Sequence, residues 1–222
     1  FSSPSFALFM QALMREPLPV FLLSFGVYEL MAKVHFYAIL PFRRYLQYSL
    51  DFPATVLAFG TRAVWLLFAC WVGGSKAVEP LKHFLVMADH FHQQLSKNPD
   101  SVMLAKTAAD IRRAKQEGKV AALLGMEGAE PLEGELGTLR LFHQLGLRVI
   151  TLVWGGRNRL GDAVFGDARA KGGLTDYGVE VVKEMNRLGM VINVSHLNAA
   201  GVADVLAVSS APIIASHSNA RA

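Results

Sequence analysis

Cysteine is almost absent from this sequence, since Cys70 is its single example among 222 residues. One thiol cannot form an intramolecular disulfide, which excludes a disulfide-stabilised scaffold and a cysteine-rich zinc module. Charged residues are also scarce, at 18% against 52% hydrophobic residues. This balance provides enough apolar side chains for a sizeable core and argues against disorder over most of the chain.

A strong charge of either sign is also lacking. Lys and Arg number 22 and Asp and Glu number 18, which gives a formal net charge of +4. The basic residues are scattered and form no stripe interleaved with aromatic side chains, so we expect no nucleic-acid partner. The sequence has no initiator methionine, basic leader region or cleavage pattern, so we expect no signal peptide and favour a cytoplasmic location.

The apolar runs near the amino end are all interrupted. Residues 18–31 contain Pro19 and Glu29, and residues 54–72 contain Arg62. A central arginine costs a few kcal/mol on insertion scales, so a membrane span at 54–72 is left open but not favoured. The alternative is a buried strand at 64–72. We therefore divide the chain into an apolar segment, 1–64, and a second domain, 65–222.

The second domain contains further short apolar runs of strand length, and segments with helical spacing lie between them. The runs are 120–125, 148–153, 190–195 and 212–216. Strands that alternate with helices predict an α/β fold with right-handed crossovers and a parallel sheet. In such folds, functional side chains gather at the carboxyl ends of the strands.

Helical stripes and capping residues predict the intervening helices. Thr107 and Asp110 fit a capping box, while Thr175 and Asn198 fit amino-terminal caps. The predicted helices are 76–96, 107–117, 133–145, 176–188 and 199–209. His90 and His92 fall on the first of these helices, where residues two apart point in different directions. We therefore expect them to be solvated rather than to share a metal ion.

Three potential metal ligands follow three different predicted strands. Glu127 follows 120–125, His196 follows 190–195 and His217 follows 212–216. Two imidazoles and a carboxylate suit an open zinc site, in which the ion activates a water molecule. Nearby serines could orient the rings, namely Ser195, Ser216 and Ser218. The alternative is that each ligand is an ordinary polar group at a strand end.

A long, polar, glycine-rich segment follows the strand predicted at 148–153. It spans 155–173, and a connection of that length is usually functional or disordered. Trp154 and Asn158 lie at its start and are candidate substrate-binding residues, although core packing is an equally good interpretation of Trp154. We expect the charged residues of this segment to be solvated, with the alternative that one of them reaches the mouth of a barrel. They are Arg157, Asp162 and Asp167.

Several stretches resemble the membrane (renal) dipeptidase family of zinc peptidases, including its bacterial members, over residues 65–222. They are EGKVAALLGMEG at 117–128, GGLTDYG at 172–178, VVKEMNRLGM at 181–190, VSH at 194–196 and SHS at 216–218. The resemblance implies a metal-dependent (β/α)8 TIM-type barrel that hydrolyses dipeptides with two zinc ions.

The resemblance also implies roles for single residues. Glu127 matches the glutamate that bridges the two metals and is the expected catalytic residue. His196 and His217 match the histidines of the second metal. Trp154 stands where mammalian members carry a substrate-contacting histidine, and bacterial relatives often have tryptophan there.

The sequence also departs from the family. It contains no H-x-D motif, which holds the first metal in the family, and its nearest candidate is His35-Phe36-Tyr37. Asn193 replaces the family's aspartate, and the later arginine and catalytic aspartate are not reached. We therefore expect a partial barrel without the usual first and last strands, one zinc ion at most, and weak or no turnover. The alternative is a non-catalytic remnant or interaction protein of the same fold, membrane-associated through its amino end. A homo-oligomer is left open.

Overall fold

A computed structural model describes residues 65–71, 78–164 and 172–218 of the chain. The predicted amino-terminal segment 1–64 lies outside these ranges, as does Asp167. Within the described ranges, no helix is long and apolar enough to cross a bilayer.

Parallel strands form one sheet. The strands are β1 Trp65–Trp71, β2 Val102–Leu104, β3 Val120–Glu127, β4 Leu147–Thr151 and β5 Val191–Asn193. β1 pairs with β3 along its whole length. The other edge of β3 is shared, because β2 pairs with its beginning and β4 with its end. β5 then pairs with β4. The expected parallel α/β arrangement is confirmed.

Helices connect the strands as crossovers. They are α1 Pro80–Lys97, α2 Ala108–Gln116, α3 Leu136–Leu145, α4 Asp176–Leu188 and α5 Ala199–Val208. The predicted caps are confirmed: Thr107 and Asp110 form a capping box, and Thr175 and Asn198 accept hydrogen bonds from backbone amides. Each cap satisfies amides that a helix leaves without an internal partner.

The main core lies between the sheet and the helices. Alternate residues of β3 take part in it, namely Ala122, Leu124 and Met126, and they pack with Phe84, Leu139 and Met185 among others. Side chains alternate between the faces of a strand, so Glu127 belongs to the opposite face. Ala121 of that opposite face packs in a second, smaller cluster with Ala105 and Ala114.

The boundaries differ from the predictions at several points. β3 continues to Glu127, so this glutamate is the last residue of its strand rather than the residue after a strand at 120–125. β4 and β5 are shorter than predicted, and β2 was not predicted because it has only three residues. Helix α3 begins at Leu136 because Glu133 takes a left-handed conformation, with φ +53°, after the 3-10 turn Glu130–Leu132.

The strand predicted at 212–216 is the largest discrepancy. Only Ile214 pairs with the sheet, through a single parallel bridge to Asn193. The Ile214 amide donates to Ile192 O, and the Val194 amide donates to Ile214 O. Pro212 has no amide hydrogen to extend the pairing in the other direction. This one bridge nevertheless places the segment before His217 beside the end of β5.

Candidate metal centre

The sheet places four polar or aromatic residues side by side at the carboxyl ends of neighbouring strands. Trp71 pairs with Glu127, Glu127 with Thr151, and Thr151 with Asn193. Residues that are paired in a parallel sheet share a face, so all four side chains lie on the same face. The candidate site lies against this row of side chains.

Two turns bring the histidines to this row. His196 lies in the turn after β5, where the Leu197 amide donates to Val194 O. Its φ of +70° lies in the left-handed region, which is uncommon for a residue with a side chain. His217 lies three residues beyond the Ile214 bridge. The structure therefore positions both rings by short turns rather than by regular strands.

The three predicted ligands meet. His196 Nε2 lies 3.2 Å from Glu127 Oε1, and His217 Nε2 lies 3.5 Å from the same oxygen. The two Nε2 atoms are 2.6 Å apart. Among the described residues, these three form the group of potential ligands whose donor atoms lie within 4.8 Å of one another. His196 and His217 lie 69 and 90 positions after Glu127 in the sequence, yet all three meet in the fold. This is expected for strand ends that converge.

The cluster is largely shielded from water. The exposed fractions of the side chains are 9% for Glu127, 13% for His196 and 22% for His217. Burial lowers the pKa of His217, and the neighbouring His196 ring lowers it further, while the Glu127 carboxylate opposes both effects. A lowered pKa favours the neutral imidazole, which is the form that binds metal ions.

The donor set fits a zinc ion. Neutral imidazole nitrogens and a carboxylate oxygen are typical zinc ligands, and the three donor atoms here lie within 4.8 Å of one another. A bound zinc ion would be held by the two Nε2 atoms and by Glu127 Oε1.

Two of the three predicted serines contact His217. Ser216 Oγ lies 2.8 Å from His217 Nδ1, and the His217 amide donates to Ser195 Oγ at 3.1 Å. The two hydroxyl oxygens are 3.3 Å apart. Ser218 is exposed. A metal-binding histidine usually uses its second ring nitrogen for such a contact, which fixes the orientation of the ring.

Aromatic rings border the histidines on one side. The Trp154 ring lies edge-on to His196 with centroids 6.2 Å apart, and the Trp71 ring lies edge-on to Trp154 at 4.8 Å. Trp154 is therefore beside the cluster, as a substrate-wall role requires. Trp71 was not predicted as a site residue, although it is the last residue of β1, as Glu127 is the last residue of β3.

The side chain of Asn158 forms hydrogen bonds with the loop that contains it and with Glu130. Its amide donates to Leu152 O at 2.9 Å and to Glu130 Oε1 at 3.3 Å, and its Oδ1 accepts from the Leu160 amide. These bonds hold the loop after β4 against the turn after β3. A direct contact of Asn158 with substrate stays a prediction.

The expectation that Asp162 is solvated is wrong. Its side chain is 1% exposed and pairs with Arg157, whose Nη1 lies 2.7 Å from Asp162 Oδ1. Neighbouring Ala163 bridges Leu197, the residue after His196, which draws this part of the loop into the fold. Arg157 itself is 59% exposed, as expected.

The rings of His90 and His92 contact different parts of the fold, in line with their positions two residues apart on α1. They are half-buried rather than fully solvated, because each ring contacts a backbone carbonyl. His90 Nδ1 lies 2.8 Å from Val86 O on the same helix, and His92 Nε2 lies 2.9 Å from Leu145 O of α3. Both histidines therefore have structural partners.

Comparison with known proteins identifies the family. Residues 53–222 match the membrane dipeptidase family, peptidase family M19. The chain belongs to this family. The match contains the three clustered potential ligands and the whole described sheet, and it confirms the resemblance found in the sequence.

Individual relatives agree with this assignment. Dipeptidase verJ of Clonostachys rogersoniana is 35% identical over 141 residues, covering 64% of this chain and 36% of the relative. A metallopeptidase from Rhodobacter sphaeroides, solved with a phosphinate mimic of the dipeptide L-Ala-D-Ala, matches with a TM-score of 0.64. Its identity is 31%, over 69% of this chain and 52% of that one. The probable dipeptidase PvdM from Pseudomonas aeruginosa matches with a TM-score of 0.68 and 27% identity, over 73% and 44%.

The chain spans less than two fifths of the curated relative and about half of each solved structure. The solved family members are TIM barrels, so the described sheet is part of a (β/α)8 barrel. The predicted fold class is confirmed in this form. The site lies at the carboxyl ends of the strands, where barrels of this type carry out their chemistry.

Proposed function

We propose that this chain contributes the metal-binding part of a zinc-dependent dipeptidase, with Glu127, His196 and His217 as the ligands. The observation that carries the proposal is the convergence of these three side chains at the end of the sheet. Membership of the dipeptidase family and the solved relative with a dipeptide mimic support the choice of substrate.

The two histidines and the glutamate have different roles. His196 and His217 present their Nε2 atoms, and the lowered pKa of His217 keeps its ring available at neutral pH. Glu127 provides a carboxylate oxygen between the two rings and can accept a proton from the attacking water. A bound zinc ion would supply Lewis-acid chemistry, polarising the peptide carbonyl and lowering the pKa of the water.

The neighbouring residues shape the place where substrate would lie. Trp154 and Trp71 form an aromatic wall beside His196. Such a wall excludes water and packs against an apolar part of a small substrate. Asn158 supports this wall by fixing the backbone of the loop that begins after Trp154.

The lack of an H-x-D motif lowers the dipeptidase activity that we expect. Because no H-x-D motif occurs in the sequence, we expect this polypeptide to bind one zinc ion and to hydrolyse dipeptides weakly. The same observation favours a second candidate, a non-catalytic protein of this fold. Dipeptide hydrolysis that depends on added zinc would decide for the first.

Metal content and hydrolysis test the proposal together. We expect close to one zinc ion per wild-type chain, measured by plasma mass spectrometry, and its loss in Glu127→Ala, His196→Ala and His217→Ala. His143→Ala is a matched control, because His143 is a half-buried histidine on α3, near the amino end of β4. Zinc near zero that does not change in Glu127→Ala would contradict the proposed site. Hydrolysis of L-Ala-D-Ala, followed with and without a chelator, measures the residual activity.

A further inference from the structure

Asn193 occupies a central position behind the two histidines. It is the last residue of β5 and is 1% exposed. Its side chain takes part in four hydrogen bonds that link three separate parts of the chain. These parts are the end of β4, the turn that carries His196 and the turn that carries His217.

The orientation of the Asn193 amide is fixed by its partners. Oδ1 accepts from the backbone amides of Ser195 and Ser216, both at 3.1 Å. A backbone N–H can only donate, so the oxygen must face these two groups. Nδ2 therefore faces the hydroxyls and donates to Thr151 Oγ1 at 2.9 Å and to Ser216 Oγ at 2.7 Å.

The bond to Ser216 extends to the metal ligands. Ser216 Oγ already accepts one hydrogen from Asn193 and has one more lone pair and one hydrogen to use. It lies 2.8 Å from His217 Nδ1 and 3.3 Å from Ser195 Oγ. If the second lone pair accepts Nδ1–H, the hydroxyl hydrogen points to Ser195, and both lone pairs and the hydrogen of Ser216 Oγ have partners. His217 then presents an unprotonated Nε2 to the cluster.

We propose that Asn193 is a positioning residue for the metal centre, which holds both histidine turns together and orients His217 through Ser216. This inference rests on the proposed metal-binding function. A residue that acts through the hydrogen bonds behind the ligands typically changes metal affinity by about 10- to 100-fold when it is removed. The ring of His217 should also lose its preferred tautomer without this residue.

Zinc affinity provides the first test, measured by competition with a chromophoric chelator. We expect Asn193→Ala to weaken zinc binding by about 10- to 100-fold. Asn193→Asp should restore most of it, since a carboxylate can accept from both backbone amides and from both hydroxyls. Asn186→Ala is the matched control, because Asn186 also bonds to a carbonyl and a serine hydroxyl, Val182 O and Ser209 Oγ, away from the site.

The second test measures the nitrogen-15 NMR signals of the histidine rings in the metal-free chain. We expect the ring signals of His217 to shift in Asn193→Ala and in Ser216→Ala but not in Asn186→Ala. Ser216→Ala leaves the Asn193 bonds to Thr151 and to both backbone amides intact, so it tests the relay even if Asn193→Ala fails to fold.

Two outcomes would overturn the inference. One is wild-type zinc affinity in a folded Asn193→Ala, and the other is an equal loss in Asn193→Ala and Asn186→Ala. A wild-type chain that binds no zinc would instead refute the proposed function. The ring signals would still decide the role of Asn193 in that case, since unchanged His217 signals in both site variants would overturn it.

Discussion

At the scale of single residues, the carboxylates of Glu127 and Glu130 are both shielded from water but have different partners. Glu127 is buried but faces two imidazole rings. Glu130, three residues later, is also shielded from water, and its Oε2 is one of the buried polar atoms without a hydrogen-bond partner in the described part of the chain. Burial is the main reason that the pKa of Glu130 is raised. Of the two carboxylates, Glu127 is therefore the one whose Oε1 lies close to two ring nitrogens.

Replacing Glu130 should make the protein more stable at neutral pH. A raised pKa means that the folded state binds more protons than the unfolded state between the ordinary value of 4.5 and the raised value. Stability from this group is therefore present at low pH and lost as the pH rises through the folded pKa. We expect Glu130→Gln to gain about 1 kcal/mol in unfolding free energy at pH 7.

Urea unfolding of wild type and Glu130→Gln at pH 4 and pH 7 measures this difference. The gain should shrink at the lower pH. Glu133→Gln removes the same charge at an exposed position and serves as the control. A gain of equal size in Glu133→Gln, or one that does not change with pH, would count against the burial of Glu130 as its cause.

Among the elements, the helices were predicted better than the strands. Capping residues and glycines mark helix ends in the sequence, as Thr175 and Gly189 do for α4. Strand ends have no such signal, so the apolar runs predicted strands that extend beyond β4 and β5. The run at 212–216 has a strand-like composition, but only Ile214 finds a pairing partner.

The helices are also linked by charged groups. Arg187 of α4 donates to Glu184 of the same helix at 2.7 and 2.8 Å, and Arg140 of α3 donates to it at 3.2 Å. The hydrogen bonds from Arg187 are the main cause of a Glu184 pKa lowered to about 2. This carboxylate therefore joins two neighbouring crossovers on the helical side of the sheet.

Glu184→Gln should destabilise the chain at neutral pH by no more than about 1 kcal/mol, since ion pairs near the surface contribute little. The sign is opposite to that of Glu130. A lowered folded pKa gives stability that is present above 4.5 and is lost as the pH falls towards 2. Unfolding at pH 7 and pH 2 measures it, with Glu180→Gln, exposed on the same helix, as the control. A difference that persists at pH 2 would contradict the assignment.

For the molecule as a whole, the order of strands and helices was enough to predict that Glu127, His196 and His217 lie together. Glu127, His196 and His217 were found because parallel strand ends converge, whatever their separation in sequence. The four hydrogen bonds of Asn193 could not be predicted in this way. Their partners come from β4 and two irregular turns, and the sequence indicates neither the turn geometry nor the direction of each hydroxyl. Asp162 was predicted incorrectly for a similar reason, since polar composition does not show which loop residue folds inward.

The most direct measurement is a crystal structure of this chain grown with zinc, with anomalous data collected on both sides of the zinc absorption edge. The account predicts one anomalous peak in contact with Glu127 Oε1, His196 Nε2 and His217 Nε2, with His217 Nδ1 still bonded to Ser216. It also predicts that the peak disappears in His217→Ala. A fully loaded crystal whose zinc lies elsewhere, or a peak that persists at this place in His217→Ala, would contradict the account.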